Sequence, residues 1–192
     1  MKNKVFLVTA LAALALTTYS CKGDKAAEGK ATEAEATSET PAAEDKPLVG
    51  SEFVDLDLSS EGIPIILKAP KDAKIIKSTT EGELFVYGGK RFKLTVSKRD
   101  GTAENSVGMI KELQADKELN PSFDKITDDK PTAFMKADTK GKLSFTVGIT
   151  TGESSVIIQE GMGFDQSPDQ FTDYTNDDIN LMYDAANTAV AK

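Results

Sequence analysis

Residues 22–46 contain no Val, Ile, Leu, Met, Phe, Trp or Tyr. They are built mainly from Ala, Glu, Lys, Thr, Gly and Ser, with Pro41 inside the stretch and Pro47 just after it. Such a segment has too little apolar area to offset the entropy of ordering its backbone. It is expected to be a disordered tether with a root-mean-square reach of about 25–30 Å, and more where its charges repel. A weak Ala/Glu/Lys helix is the alternative, disfavoured by the scattered Thr, Ser and Gly. The tether confines folding to one part of the chain. Residues 1–20 form a leader, 21–47 a cysteine and tether, and 48–192 a single domain of ordinary size.

The leader has the organisation of an export signal. Lys2 and Lys4 supply a positive start, and residues 5–16 form an apolar run interrupted by Thr9. The run is too short to span a bilayer but suits the apolar region of a signal peptide. Thr17-Thr18-Tyr19-Ser20 follows, then Cys21, the only cysteine in the chain. This arrangement resembles the lipobox of bacterial lipoproteins. Ser20 fits the small residue before the cut, whereas Thr18 stands where leucine is usual and Tyr19 is larger than usual. The resemblance implies removal of residues 1–20 and lipidation of Cys21. A plain secretory signal and an uncleaved anchor are the other two readings. The position of the sole cysteine at the end of the signal favours lipidation. At about 0.8 kcal/mol per buried methylene, more than one acyl chain gives stable anchoring. Lys22, rather than aspartate, follows the cysteine. By resemblance to lipoproteins of double-membrane bacteria, this implies the outer membrane.

Net charge and missing residue types bound the chemistry. The formal net charge is −8, which argues against general affinity for nucleic acid or anionic head groups. With one cysteine, no intramolecular disulfide can form. With no histidine, Ser-His-Asp triads, Cys-His nucleophiles and histidine-ligated zinc are excluded. There is no P-loop, and Gly161-Met162-Gly163 lacks the further glycine and helix of a dinucleotide fingerprint. Ser-Lys pairs and carboxylate pairs remain chemically open, but abundant Asp and Glu are expected mainly as solvated surface. No catalytic, cofactor-binding or metal-binding residues are assigned, and the expectation is a protein that is not an enzyme and needs no cofactor.

Periodicity in the domain suggests strands, a helix, more strands and a last helix. Ile63, Ile65 and Leu67 alternate over residues 63–69, with Pro64 at a strand start or edge. Pro70-Lys71-Asp72 turns into a short strand around Ile75. Residues 83–87 and 91–97 flank Gly88-Gly89 as a tight hairpin, with Phe92, Leu94 and Val96 on one face. Residues 102–117 read as a helix capped by Thr102, with Val107, Ile110, Leu113 and Met109 as its apolar stripe. Asn120-Pro121 ends it. Strands are expected around residues 123–126 and 132–135. A second hairpin should run through Thr151-Gly152, with Leu143, Phe145, Val147 and Ile149 on one strand and Val156 and Ile158 on the other. Ser167-Pro168-Asp169-Gln170 has the pattern of a helix start. Thr175-Asn176-Asp177-Asp178 repeats the capping-box pattern before a stripe of Ile179, Met182, Tyr183, Ala186 and Val190. The fold class is α+β, a mostly antiparallel sheet flanked by helices.

The run from Gly62 through Pro64, Lys68, Ala69, Pro70, Asp72 and Ala73 is similar to the first strand and turn of PsbP-like domains. So is the order that follows: a hairpin ending in Phe92-Lys93-Leu94-Thr95-Val96, a helix, hairpins and an alanine-rich last helix. The resemblance spans most of residues 62–192. It implies an α/β/α sandwich, usually without catalytic activity, as in DcrB-like envelope lipoproteins. It transfers no functional residues. Thr95, Ser97, Ser144 and Thr146 depart from it by making one sheet face polar, which argues against full helical cover there.

Two charge patterns carry further expectations. Asp165, Asp169, Asp173, Asp177 and Asp178 could suggest a cation, but the spacing is not that of an EF-hand loop. Helix caps and a solvated face are the simpler reading. Residues 64–99 carry nine Lys/Arg and three Asp/Glu, whereas residues 143–191 carry eight Asp/Glu and no Lys or Arg. These regions could pair, coat different faces, or steer a partner. The expectation is a non-enzymatic, membrane-anchored envelope lipoprotein that binds a protein partner or assists assembly. The alternative is a lipoprotein that binds a small ligand or metal ion.

Overall fold

Alternating apolar residues in the domain leave strands with one face to bury, and a computed structural model shows how they do so for residues 52–161 and 173–192. Strands β1 (Phe53–Asp57) and β2 (Ile65–Pro70) are joined across a 3-10 turn at Ser59–Glu61. Strands β3 (Lys74–Lys77), β4 (Glu83–Tyr87) and β5 (Lys93–Asp100) precede helix α1 (Ala103–Ala115). Next come β6 (Phe123–Lys130), β7 (Ala133–Asp138), β8 (Leu143–Thr151) and β9 (Ser154–Glu160). Helix α2 (Asn176–Asn187) and the short β10 (Val190–Ala191) complete the described elements. One sheet has seven strands in the order β3-β4-β5-β9-β8-β7-β6, and a smaller one runs β1-β2-β10. Every pairing is antiparallel. The fold class is α+β, as the sequence implied.

The period-2 alternation divides the large sheet into two faces. Leu94, Val96, Phe145, Val147, Val156 and Ile158 point to one side. There they meet Ile179, Met182, Tyr183 and Ala186 of α2 and Ile65, Leu67 and Ala69 of β2 in the main core. Ile157 and Phe134 point the other way and form a smaller cluster with Val107 of α1, joined by Ile110 and Ile126. The two helices therefore lie on opposite faces, with the small sheet beside α2.

Helix α1 reaches only part of its face. The polar residues there satisfy one another: Thr146 is fully buried and accepts from Gln159 Nε2 at 3.0 Å. Ser97 is buried, while Thr95 and Ser144 are part-exposed. At the sheet edge, β6 carries five charged residues among its eight and has register shifts at Phe123/Lys125 and Ile126/Asp128. Charges and bulges of this kind discourage pairing with another chain.

The hairpins, the Thr102 cap and the Thr175 capping box follow the sequence reading. Thr102 Oγ1 accepts from Asn105 N at 3.3 Å. Thr175 Oγ1 accepts from Asp178 N, and Asp178 Oδ2 accepts from Thr175 N at 2.8 Å. Four details differ. The connection after Gly88-Gly89 is longer than a tight turn, closed by Gly88 N donating to Phe92 O at 2.8 Å. Strand β1 was not anticipated; its short Val54-Asp55-Leu56-Asp57 alternation gains a strand only by pairing with β2. Val190 is not on the helical stripe. The helix ends at Asn187, and Val190 is 55% exposed in β10, opposite Ile66. Leu113 and Met109, expected to face the core, are exposed. The expected helix start at Ser167 lies outside the described residues.

Candidate functional site

Helix α1 is held tightly on its inner side and exposes apolar side chains on its outer side. Ala103, Ser106 and Val107 recur at helical spacing and are buried against β8 and β9. The close approach depends on Gly148 of β8. A Cβ there would lie 2.7 Å from Val107 Cγ2 and 3.1 Å from Ala103 Cβ. Three polar contacts fix the seat. Ala103 N donates to Thr150 Oγ1 at 3.0 Å, the Ser106 and Ser155 hydroxyls lie 2.9 Å apart, and Lys111 pairs with Asp129 of β6 at 2.7 Å.

On the outer side Met109 is 60% exposed and Leu113, one turn later, is 54% exposed. Leu119, in the turn beyond the helix, is 67% exposed. Met109 and Leu113 are exposed because α1 turns its Ala103, Ser106 and Val107 side to the sheet and these two away from it. Large exposed apolar side chains grouped in this way mark interaction surfaces. The helical period showed these residues to be apolar neighbours, but the side of α1 that the sheet covers decides which neighbours are buried.

Two further clusters have chemical interest. Glu160 ends β9, and its carboxyl is packed round by protein although the residue keeps a little surface. Burial pushes its pKa up to about 7, against the opposing pull of hydrogen bonds and of Lys136 and Lys142. Phe145 N donates to Glu160 Oε2 at 2.8 Å. Lys136 is in turn held below the ordinary lysine range by burial, against the pull of Glu160 and Asp138. Nothing in the sequence distinguished Glu160 from other carboxylates, because its state depends on neighbours from β7 and β8.

Tyr183 of α2 donates to Asp128 Oδ2 at 2.8 Å, while Lys130 Nζ donates to the Tyr183 oxygen at 3.3 Å. Burial and the neighbouring carboxylate push the phenol up, so it stays protonated and acts as a donor rather than a base. The cluster ties β6 to α2, and the Tyr183 ring packs 5.5 Å from the Phe145 ring.

The described members of the acidic run, Asp173, Asp177 and Asp178, form no metal-holding group. Asp173 pairs with Lys142 at 2.6 Å, and Asp178 pairs with Arg91 Nε at 2.8 Å while capping α2. Burial opposes the Asp178 charge, but Arg91, Thr175 and the backbone together hold its carboxyl below the usual range. Asp165 and Asp169 lie outside the described residues, as does Cys21. Among the described residues no group of three or more His, Cys, Asp or Glu is placed to hold a metal.

The oppositely charged regions meet at Arg91–Asp178. Lys68, Lys71 and Lys77 instead pair with Asp55, Glu52 and Glu61, which precede the basic region. Exposed pairs of this kind contribute about 0–1 kcal/mol each.

The fold and this surface define an α+β domain with one helix exposing an apolar ridge. No protein-family model matches the chain, and no curated protein matches it.

Proposed function

We propose that this chain is a lipid-anchored bacterial envelope protein whose α+β domain is a non-enzymatic protein-binding module. The observation that carries the binding role is the exposed Met109 and Leu113, with Leu119 in the turn beyond, on the outer side of a helix whose opposite side is firmly seated. Full burial of a Leu or Met side chain contributes about 1.5–3 kcal/mol, so the ridge leaves a useful part of that for a partner. The signal-like residues 1–20, Cys21 and the apolar-poor residues 22–46 support anchoring with the domain held off the membrane. Lys22 after the cysteine supports the outer membrane. No helix among the described residues is long and apolar enough to cross a membrane. The likeness of residues 62–73 to PsbP-like domains supports a non-catalytic role.

Binding is tested by placing a photo-crosslinking amino acid at position 113 in the full chain, in native membranes. One dominant protein adduct is expected, absent when the same group is placed at exposed Lys98 on β5. The same adducts from both positions, or none, would remove the binding module. Anchoring is tested separately with Cys21→Ser, which should release the protein to the soluble fraction or leave it unprocessed. Fatty-acid labelling independent of Cys21 would contradict it.

A further inference from the structure

We infer that the partner of α1 is an amphipathic helix whose apolar stripe is bordered by basic residues; the inference rests on the binding-module reading above. Met109 and Leu113 are one turn apart, the spacing at which one helix presents a ridge to another. Glu112 and Asp116 form a second exposed pair one turn apart beside them. Glu104 is exposed at the start of the helix and Glu118 just beyond its end. Of the nearby cations, Lys111 is engaged by Asp129 on the inner edge, and exposed Lys117 offsets only one of these four carboxylates. The outer face therefore combines an apolar ridge with an acidic border. Its complement is apolar residues flanked by Lys or Arg.

Gly108 is an independent sign of close approach. A helix-interior glycine costs about 1 kcal/mol relative to alanine. Gly148 opposite α1 has a packing reason, but Gly108 has none within the fold: a Cβ there would meet nothing within 4 Å. Gly108 and Glu112 lie one turn apart on the outer side, where a missing side chain lets another helix backbone come near.

The same features disfavour two other occupants. A second copy of this chain would bring Glu112 and Asp116 against their own counterparts. An anionic membrane would meet the acidic border unfavourably.

The test uses the chain from position 21 onward carrying Cys21→Ser. It is titrated with an amphipathic helical peptide of leucines and lysines, and with its leucine–glutamate counterpart. The lysine peptide should bind about tenfold or more tightly than the glutamate peptide, with weaker binding as salt rises. Met109→Ser/Leu113→Ser and, separately, Glu112→Gln/Asp116→Asn should each weaken it about tenfold. A remote neutralisation, Asp72→Asn/Glu81→Gln, should leave it unchanged. These positions are exposed, so an unchanged thermal midpoint will confirm that each variant folds. Equal binding of both peptides, or equal loss with the remote pair, would overturn the inference. So would ridge-dependent self-association in sedimentation, or ridge-dependent binding to phosphatidylglycerol vesicles. If the peptides fail while position 113 still crosslinks one protein, the binding module stands and only this partner chemistry falls. If both are silent, both fall.

Discussion

Replacing Glu160 with glutamine should stabilise the domain at pH 8 and do so several-fold less at pH 5. The carboxyl titrates near 7 in the folded domain, against 4.5 for an ordinary glutamate, because burial disfavours its charge. The folded state therefore holds this proton to a higher pH than the unfolded chain. As pH rises from about 4.5 to about 7, the unfolded chain releases it first and stability falls; above that range the loss is complete. At 1.36 kcal/mol per pH unit, the full loss is about 3 kcal/mol. Glutamine resembles the protonated acid, and its carbonyl can still accept from Phe145 N. Urea unfolding of both proteins at pH 5, 6, 7 and 8 would measure the difference, and titrations common to both would cancel. The gap should be about 0.8 kcal/mol at pH 5 and widen to about 3 kcal/mol in favour of Glu160→Gln toward pH 8. A gap independent of pH would refute the reasoning. So would a less stable variant at pH 8, which would mean that Lys136 and Lys142 hold the carboxylate ionised and useful.

Other substitutions probe how the helices are seated. Gly148→Ala places a Cβ against Val107 and Ala103 and should cost about 1–3 kcal/mol in urea unfolding; no change would mean that α1 does not pack so closely. Thr175→Ala removes the α2 cap and an acceptor for Arg91 Nη2, and should cost about 1 kcal/mol, with Thr175→Ser restoring most of it. Failure of serine to restore stability would assign the loss to the methyl group instead. Tyr183→Phe keeps the ring against Phe145 but removes the donor to Asp128, with an expected loss of about 1 kcal/mol by thermal or urea unfolding. A variant as stable as the parent would show that the hydroxyl contributes nothing.

Local signals made much of the fold legible. Thr102 and Thr175 mark helix starts because a side-chain oxygen can satisfy an orphan N–H whatever the tertiary setting. Phe92, Leu94 and Val96 mark a buried strand face because alternation is a property of the strand itself. The sequence by itself therefore determined the hairpins, both helix starts and the α+β class. Its composition also excluded histidine chemistry.

Only the tertiary structure decided which apolar residues were covered and which partners met. Leu113 and Met109 have the same character as Val107, yet they are exposed because α1 turns its Val107 side to the sheet and these two away from it. Strand β1 and Val190 of β10 gain their places by pairing with β2, an interaction between segments far apart in the chain. Glu160 differs from other carboxylates because burial removes the water its charge needs. The expectation that residues 22–46 are a tether rests on composition alone. The exposed ridge of α1 depended on long-range packing, which local periodicity does not contain.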